Sequence, residues 1–144
     1  MQVDVIYNAI FALINGKDGF VTTSQRMRII EEVGAESMPA LDQLERGIVP
    51  IVETMDGVAV VVYKADWWIY VNQADGSATS SSVLNPLIES VTALLPEVSN
   101  TATQFTAGGI TGMLQYDGDI AIYEGLLDTK SAVQIPIKCM VPVS

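Results

Sequence analysis

A chain of 144 residues that is 49% hydrophobic and 17% charged can bury one sizeable core, is too short for two, and is far from a disordered composition. Seven Lys and Arg against 17 Asp and Glu give a net charge of −10, which argues against a surface that grips nucleic-acid phosphates. With no His and a single Cys, Cys139, the chain has no Ser-His or Cys-His pair, no His-ligated metal, no CxxC and no internal disulfide, which fits assembly in a reducing cytosol and leaves only an intermolecular bridge open.

Val3, Ile6, Tyr7, Ile10, Phe11, Leu13 and Ile14 recur at three- and four-residue steps, which predicts a helix over 3–15, stopped by Asn15-Gly16. After the Lys17-Asp18-Gly19 turn, 21–30 reads as a strand in which Gln25, Met27 and Ile29 face away from Arg26 and Arg28. Residues 34–37 are a loop. Pro39 suits the first position of a strand over 39–45, with a helical turn as the alternative. Residues 48–54 and 57–71, rich in Val, Ile, Tyr and Trp, form a long hairpin about the Met55-Asp56-Gly57 turn signal.

Residues 72–82 are polar and are expected to form a mobile loop. Leu84, Leu87, Ile88, Val91, Leu94 and Leu95 then mark a second helix over 83–95, capped by Ser82 or by Asn85, the latter placing Pro86 at the first helical position. Pro96 stops it. Residues 97–109, ending in Gly108-Gly109, read as a second contact loop. Strands follow at 110–116, 120–124 and 132–141, with Asp117-Gly118 turning between the first two and Pro136 marking the last as an edge or a bulge.

This order predicts one α+β domain over 1–144: a mostly antiparallel β-sheet with two α-helices packed side by side on one face, and Leu87 and Val91 in the core. A mean hydropathy of +0.35 is high for a soluble monomer, so some apolar surface is expected to meet a partner. Asp4 without a basic segment before it, and a longest apolar run of only 58–63, point to a chain that is neither exported nor membrane-spanning.

Asp117, Asp119 and Glu124 are the densest carboxylate group and could hold a hard cation such as calcium, but the further oxygen ligands of a calcium loop are missing, which favours a solvated turn. Gly108-Gly109-Ile110-Thr111-Gly112 has no Lys-Ser/Thr after it and no helix start, so it does not read as a phosphate cradle. No carboxylate pair stands out for acid–base work. The chain is therefore expected to be no enzyme and to carry no cofactor and no metal. Trp67 and Trp68 point to opposite faces of one strand, so one is core and the other an exposed aromatic suited to an interface. Arg26 and Arg28 share a face, either solvated against the acidic excess or paired to a neighbouring subunit. Thr101, Gln104 and Phe105 of the second loop complete the candidate contact set.

The helix from Ile6 to Ile14, the strand Ser24-Gln25-Arg26-Met27-Arg28, the phrase Met38-Pro39-Ala40-Leu41-Asp42-Gln43-Leu44-Glu45, the helix from Leu84 to Leu95 and the closing Ala132-Val133-Gln134-Ile135-Pro136-Ile137-Lys138 together resemble the tail terminator and related tail-completion (neck) proteins of tailed bacteriophages. The likeness runs over nearly the full chain in order of elements, with Pro86 and the Asp42-Gln43 pair as departures. It implies a virion subunit, assembled in the host cytoplasm, that closes into a homo-oligomeric ring, typically a hexamer, on the tail tube. Such a ring caps the tube and offers the surface to which head-to-tail connector proteins dock. DNA passes through without specific binding, which suits an acidic channel. Another neck or capsid-decoration protein, or a small carboxylate metal-binding domain, is the alternative.

Overall fold

The computed structural model describes residues 3–53, 57–73, 80–98, 101–127 and 129–143. The Val, Ile, Tyr and Trp run forms the expected antiparallel hairpin of β2 (Ala40–Glu53) and β3 (Ala59–Asn72), in register from Ala40↔Tyr70 to Glu53↔Ala59. Of its turn signal, Met55 and Asp56 lie outside the described residues, as do 74–79 of the polar loop. The segments expected at 39–45 and 48–54 are one strand. Arg46 is an extra residue between the pairs Glu45↔Ala65 and Gly47↔Lys64, so the chain bulges there without breaking.

β7 (Lys130–Pro142) runs the length of β3, from Val60↔Pro142 to Asn72↔Lys130, and is central where Pro136 had suggested an edge. Its other edge is divided. β5 (Ile110–Tyr116) pairs with 137–140 and β6 (Ala121–Leu127) with 130–134, so the Asp117-Gly118 turn joins two strands that share a neighbour and do not pair with each other. Pro136 falls at the changeover, in register with no residue of β5 or β6, where a missing N–H is tolerated. Its carbonyl accepts from the Asp117 N–H at 2.9 Å.

Two further expectations are corrected. The loop predicted over 97–109 contains β4 (Thr103–Ala107), an edge strand hairpinned to β5 in the register Ala107↔Ile110. Gly108 and Gly109, with φ of 58° and 78°, make the two-residue turn that needs positive φ at both positions. The strand predicted over 21–30 shrinks to β1 (Thr22–Ser24), parallel to β2, after which the chain leaves the sheet and makes short 3₁₀ turns at Ile30–Glu32 and Ala35–Ser37. The strand order is β1-β2-β3-β7-β5-β4, with β6 on β7; β1–β2 is the parallel pair among otherwise antiparallel ladders.

Helix α1 (Val3–Ala12) and helix α2 (Ser80–Thr92) lie on the same face of this sheet. Ile6, Tyr7 and Ile10 from α1 and Leu84, Leu87 and Val91 from α2 share one core with Trp67, Ile69, Val133 and Ile135. Helix α2 starts at Ser80, ahead of both expected caps, and so carries Pro86 inside it. The other face has a smaller apolar cluster, in which Ile30, Val33 and Met38 fold over Ala40, Tyr70 and Ala132.

Candidate functional site

The face of the sheet away from the helices is where charge collects. The bulge at Arg46 re-aims its side chain across β3 and β7, bringing Nε to 2.7 Å from Asp66 Oδ1 and Nη2 to 2.7 Å from Asp117 Oδ2. Lys64 Nζ lies 3.9 Å from the same Asp117 oxygen. Asp66 is buried in β3, and its other oxygen accepts from Gln134 Nε2 at 2.9 Å. Gln134 in turn meets the Tyr123 hydroxyl at 3.3 Å, so one polar chain runs from the bulge to the outer strand β6. Trp68 stacks with Tyr70 on one side and Tyr123 on the other, at centroid distances of 6.4 and 5.9 Å.

A second buried carboxylate, Asp42, holds down the segment after β1. It accepts from the Arg28 backbone N–H at 2.8 Å and takes the guanidinium in a forked pair, with Nη2 at 2.6 Å. Tyr70 donates to the Arg28 carbonyl, and Lys130 Nζ donates to the carbonyls of Ile30 and Val33. Burial first, and then the Asp42 charge, push the Tyr70 hydroxyl up to about 12, so it stays a donor at neutral pH.

Of the seven residues singled out from sequence, three are engaged within the chain itself. Trp67 is fully buried under the helices and donates to Gln43 Oε1; Phe105 is buried in the same core; Arg28 is committed to Asp42. Arg26, Thr101 and Gln104 are exposed and Trp68 is half-buried. Arg26 and Arg28 do not share a strand face, because the strand has ended before them. Arg46 and Asp66 carried no signal in the sequence; Asp42 stood out only as a departure from the family pattern, and Asp117 only as part of a carboxylate group.

The same geometry bears on chemistry. Burial pushes the Cys139 thiol up to about 12, which leaves it protonated and shielded. Asp117 is engaged by Arg46 and Lys64, and no three His, Cys, Asp or Glu side chains among the described residues come together as a metal site. An open cleft of about 640 Å³ lies at the far end of the β2–β3 hairpin, lined chiefly by Ile6, Ile51, Val61, Tyr63, Ile110 and Val141. Among the described residues, its lining holds no ionisable group other than the Tyr63 hydroxyl, whose pKa is raised by burial and then by the neighbouring Cys139. The arrangement offers surfaces for packing and ion pairing. Among the described residues, no helix is long and apolar enough to cross a membrane.

No family model and no curated protein sequence matches the chain. The fold does have solved counterparts. A chain of the virion of a native gene transfer agent particle is 7% identical and superposes with a TM-score of 0.60 over 98% of this chain and 97% of that one. A second solved chain, 15% identical, superposes with a TM-score of 0.55 over 100% and 98%.

Proposed function

We propose that this chain is a structural subunit of a tailed-phage or phage-like particle, and within that class a tail terminator. In this role copies close into a ring, a hexamer by the resemblance, that caps the tail tube and presents a docking surface to the neck proteins of the head. The observation that carries the reading is the end-to-end match of the fold to a chain of a virion particle, at almost equal lengths. The order of sequence elements shared with tail-completion proteins supports it independently. So does the surface: charged and aromatic groups are paired with one another on the open face, and apolar side chains such as Ile51, Ile122 and Leu126 remain exposed.

Electron microscopy of particles from a strain lacking the gene tests this. Tubes of uncontrolled length, or tails that fail to join heads, are expected; normal particles would overturn the terminator reading. Light scattering on the purified chain with and without calcium separates the carboxylate alternative, because a packing subunit associates independently of metal. A calcium-dependent change in mass would count for the metal site instead.

A further inference from the structure

β1 and β2 are parallel neighbours, so the chain that leaves β1 at Ser24 has to return to Ala40 before it enters β2, and it does so over the open face. Between Arg28 and Met38 it forms a strap with little structure of its own beyond the two 3₁₀ turns. Four neighbouring strands each lend one side chain to hold it, and all four act on its main chain. Thr22 of β1 donates to the Ser37 carbonyl at 2.7 Å, and Asp42 of β2 accepts the Arg28 N–H at 2.8 Å. Tyr70 of β3 donates to the Arg28 carbonyl at 3.0 Å, and Lys130 of β7 donates to the carbonyls of Ile30 at 3.3 Å and Val33 at 2.9 Å.

The strap shares little with the main core. Its buried apolar side chains, Ile30, Val33 and Met38, pack on Ala40, Tyr70 and Ala132 in a cluster separate from the one under the helices, and its other residues are exposed or half-buried. Lifting it off the sheet therefore uncovers three apolar side chains and their floor, whereas unfolding the sheet uncovers the whole helix-face core, so the first costs less. The tethers also depend on one another, because a strap ordered by one contact has already lost the freedom that the next would cost.

We infer that 28–38 is a latch, which opens as one unit while the helices and the strands beneath it keep their places. Opening uncovers Tyr70 and Ala132 beside the Trp68–Tyr123 stack and releases Asp42, Tyr70 and Lys130, groups that had held a main chain. The closed and open forms thus offer different surfaces to a neighbouring chain.

Hydrogen exchange of single amides, read by NMR, tests the latch. The reporters on the strap are the N–H groups of Arg28, Glu32 and Val33, bonded to Asp42, the Ile29 carbonyl and the Ile30 carbonyl; those of the core are Trp67 and Ile69 in β3. Ile10→Val opens a small cavity under the helices and is expected to lower the protection of Trp67 and Ile69 several-fold while leaving the strap amides unchanged, because a lifted strap keeps that core. Lys130→Met removes only the donor to Ile30 and Val33, and Tyr70→Phe only the donor to Arg28. Each is nevertheless expected to speed exchange at all three strap amides by one common factor, about tenfold for the charged donor and several-fold for the hydroxyl. Strap amides that lose protection together with Trp67 and Ile69 in Ile10→Val would show that the strap opens only when the whole chain unfolds, which overturns the latch. Acceleration confined to the amides nearest each removed donor overturns it as well, since the tethers would then act singly.

Discussion

Under the helices, the sheet buries Trp67, Ile69, Ile135 and Cys139 among aliphatic side chains from α1 and α2; on the opposite face, the same strands carry Asp42, Asp66 and Trp68, covered by Arg28, Arg46 and Tyr123. One face is held mainly by area removed from water, and the other by a smaller apolar cluster together with fixed polar partners. The difference shows in β2, where the adjacent polar residues Asp42 and Gln43 point to opposite sides and are satisfied differently. Asp42 takes a cation. Gln43 bridges the Tyr7 carbonyl and the Trp67 indole inside the apolar core. A non-directional core tolerates gradual change, whereas a forked ion pair fixes the path of the chain that bears it, here the segment that follows β1.

The largest expected effect is on the helix face. Trp67→Ala should cost about 3–5 kcal/mol in chemical denaturation, since it opens a large cavity and strands the Gln43 amide. A cost below about 1 kcal/mol would mean that the helices are only loosely seated on the sheet.

On the open face, Asp42→Ala should cost about 3 kcal/mol, at the lower end for a broken buried pair because Arg28 keeps 26% of its side chain in solvent. The double change Asp42→Leu with Arg28→Met should recover part of the loss, which distinguishes a stranded charge from lost packing. If the double variant is as unstable as the single one, the open face depends on packing after all, and the contrast between the faces falls.

Gly112→Ala probes how tightly the helix face is filled. A Cβ there would lie 3.0 Å from the Phe105 ring, 3.2 Å from the Cys139 sulfur and 3.2 Å from the Met140 carbonyl oxygen. A cost of about 1–3 kcal/mol is expected from overpacking. A neutral result in thermal unfolding would show that β4 can shift outward, as an edge strand can.

The helix face was legible in the sequence because its signal is periodic and local: the stripes Ile6-Ile10 and Leu84-Leu87-Val91 name their own face wherever the sheet lies. Phe105 reads as a loop contact and not as core because the Ser, Thr and Ala around it resemble a loop, although Gly108-Gly109 between Ala107 and Ile110 is a two-residue hairpin signal. The open face was illegible for a different reason. Its contacts join residues far apart in the chain, such as Arg46 with Asp117, and depend on a bulge that no hydrophobic pattern marks. The alternation of Met27 and Ile29 with Arg26 and Arg28 was a true pattern with a misleading cause. Both apolar residues are exposed on a segment that has left the sheet, and the Arg28 N–H that a strand would have used donates to Asp42.

The smallest expected effect sharpens the comparison most, because it concerns the neighbour of a critical residue. Arg28 is tied to Asp42 through its backbone and its guanidinium, whereas the Arg26 side chain is exposed; the Arg26 N–H donates to the Ser24 hydroxyl, which donates in turn to the Arg26 carbonyl. Arg26→Ala should therefore change the stability of the isolated chain by no more than about 0.5 kcal/mol, against several times that for Arg28→Ala. Equilibrium denaturation at a protein concentration low enough to keep the chain monomeric makes the comparison. A loss above about 1 kcal/mol for Arg26→Ala would mean that this cation serves its own subunit and is not free to meet a second copy. A negligible loss leaves it as a charge that the subunit's fold does not use, two residues from one on which the fold depends.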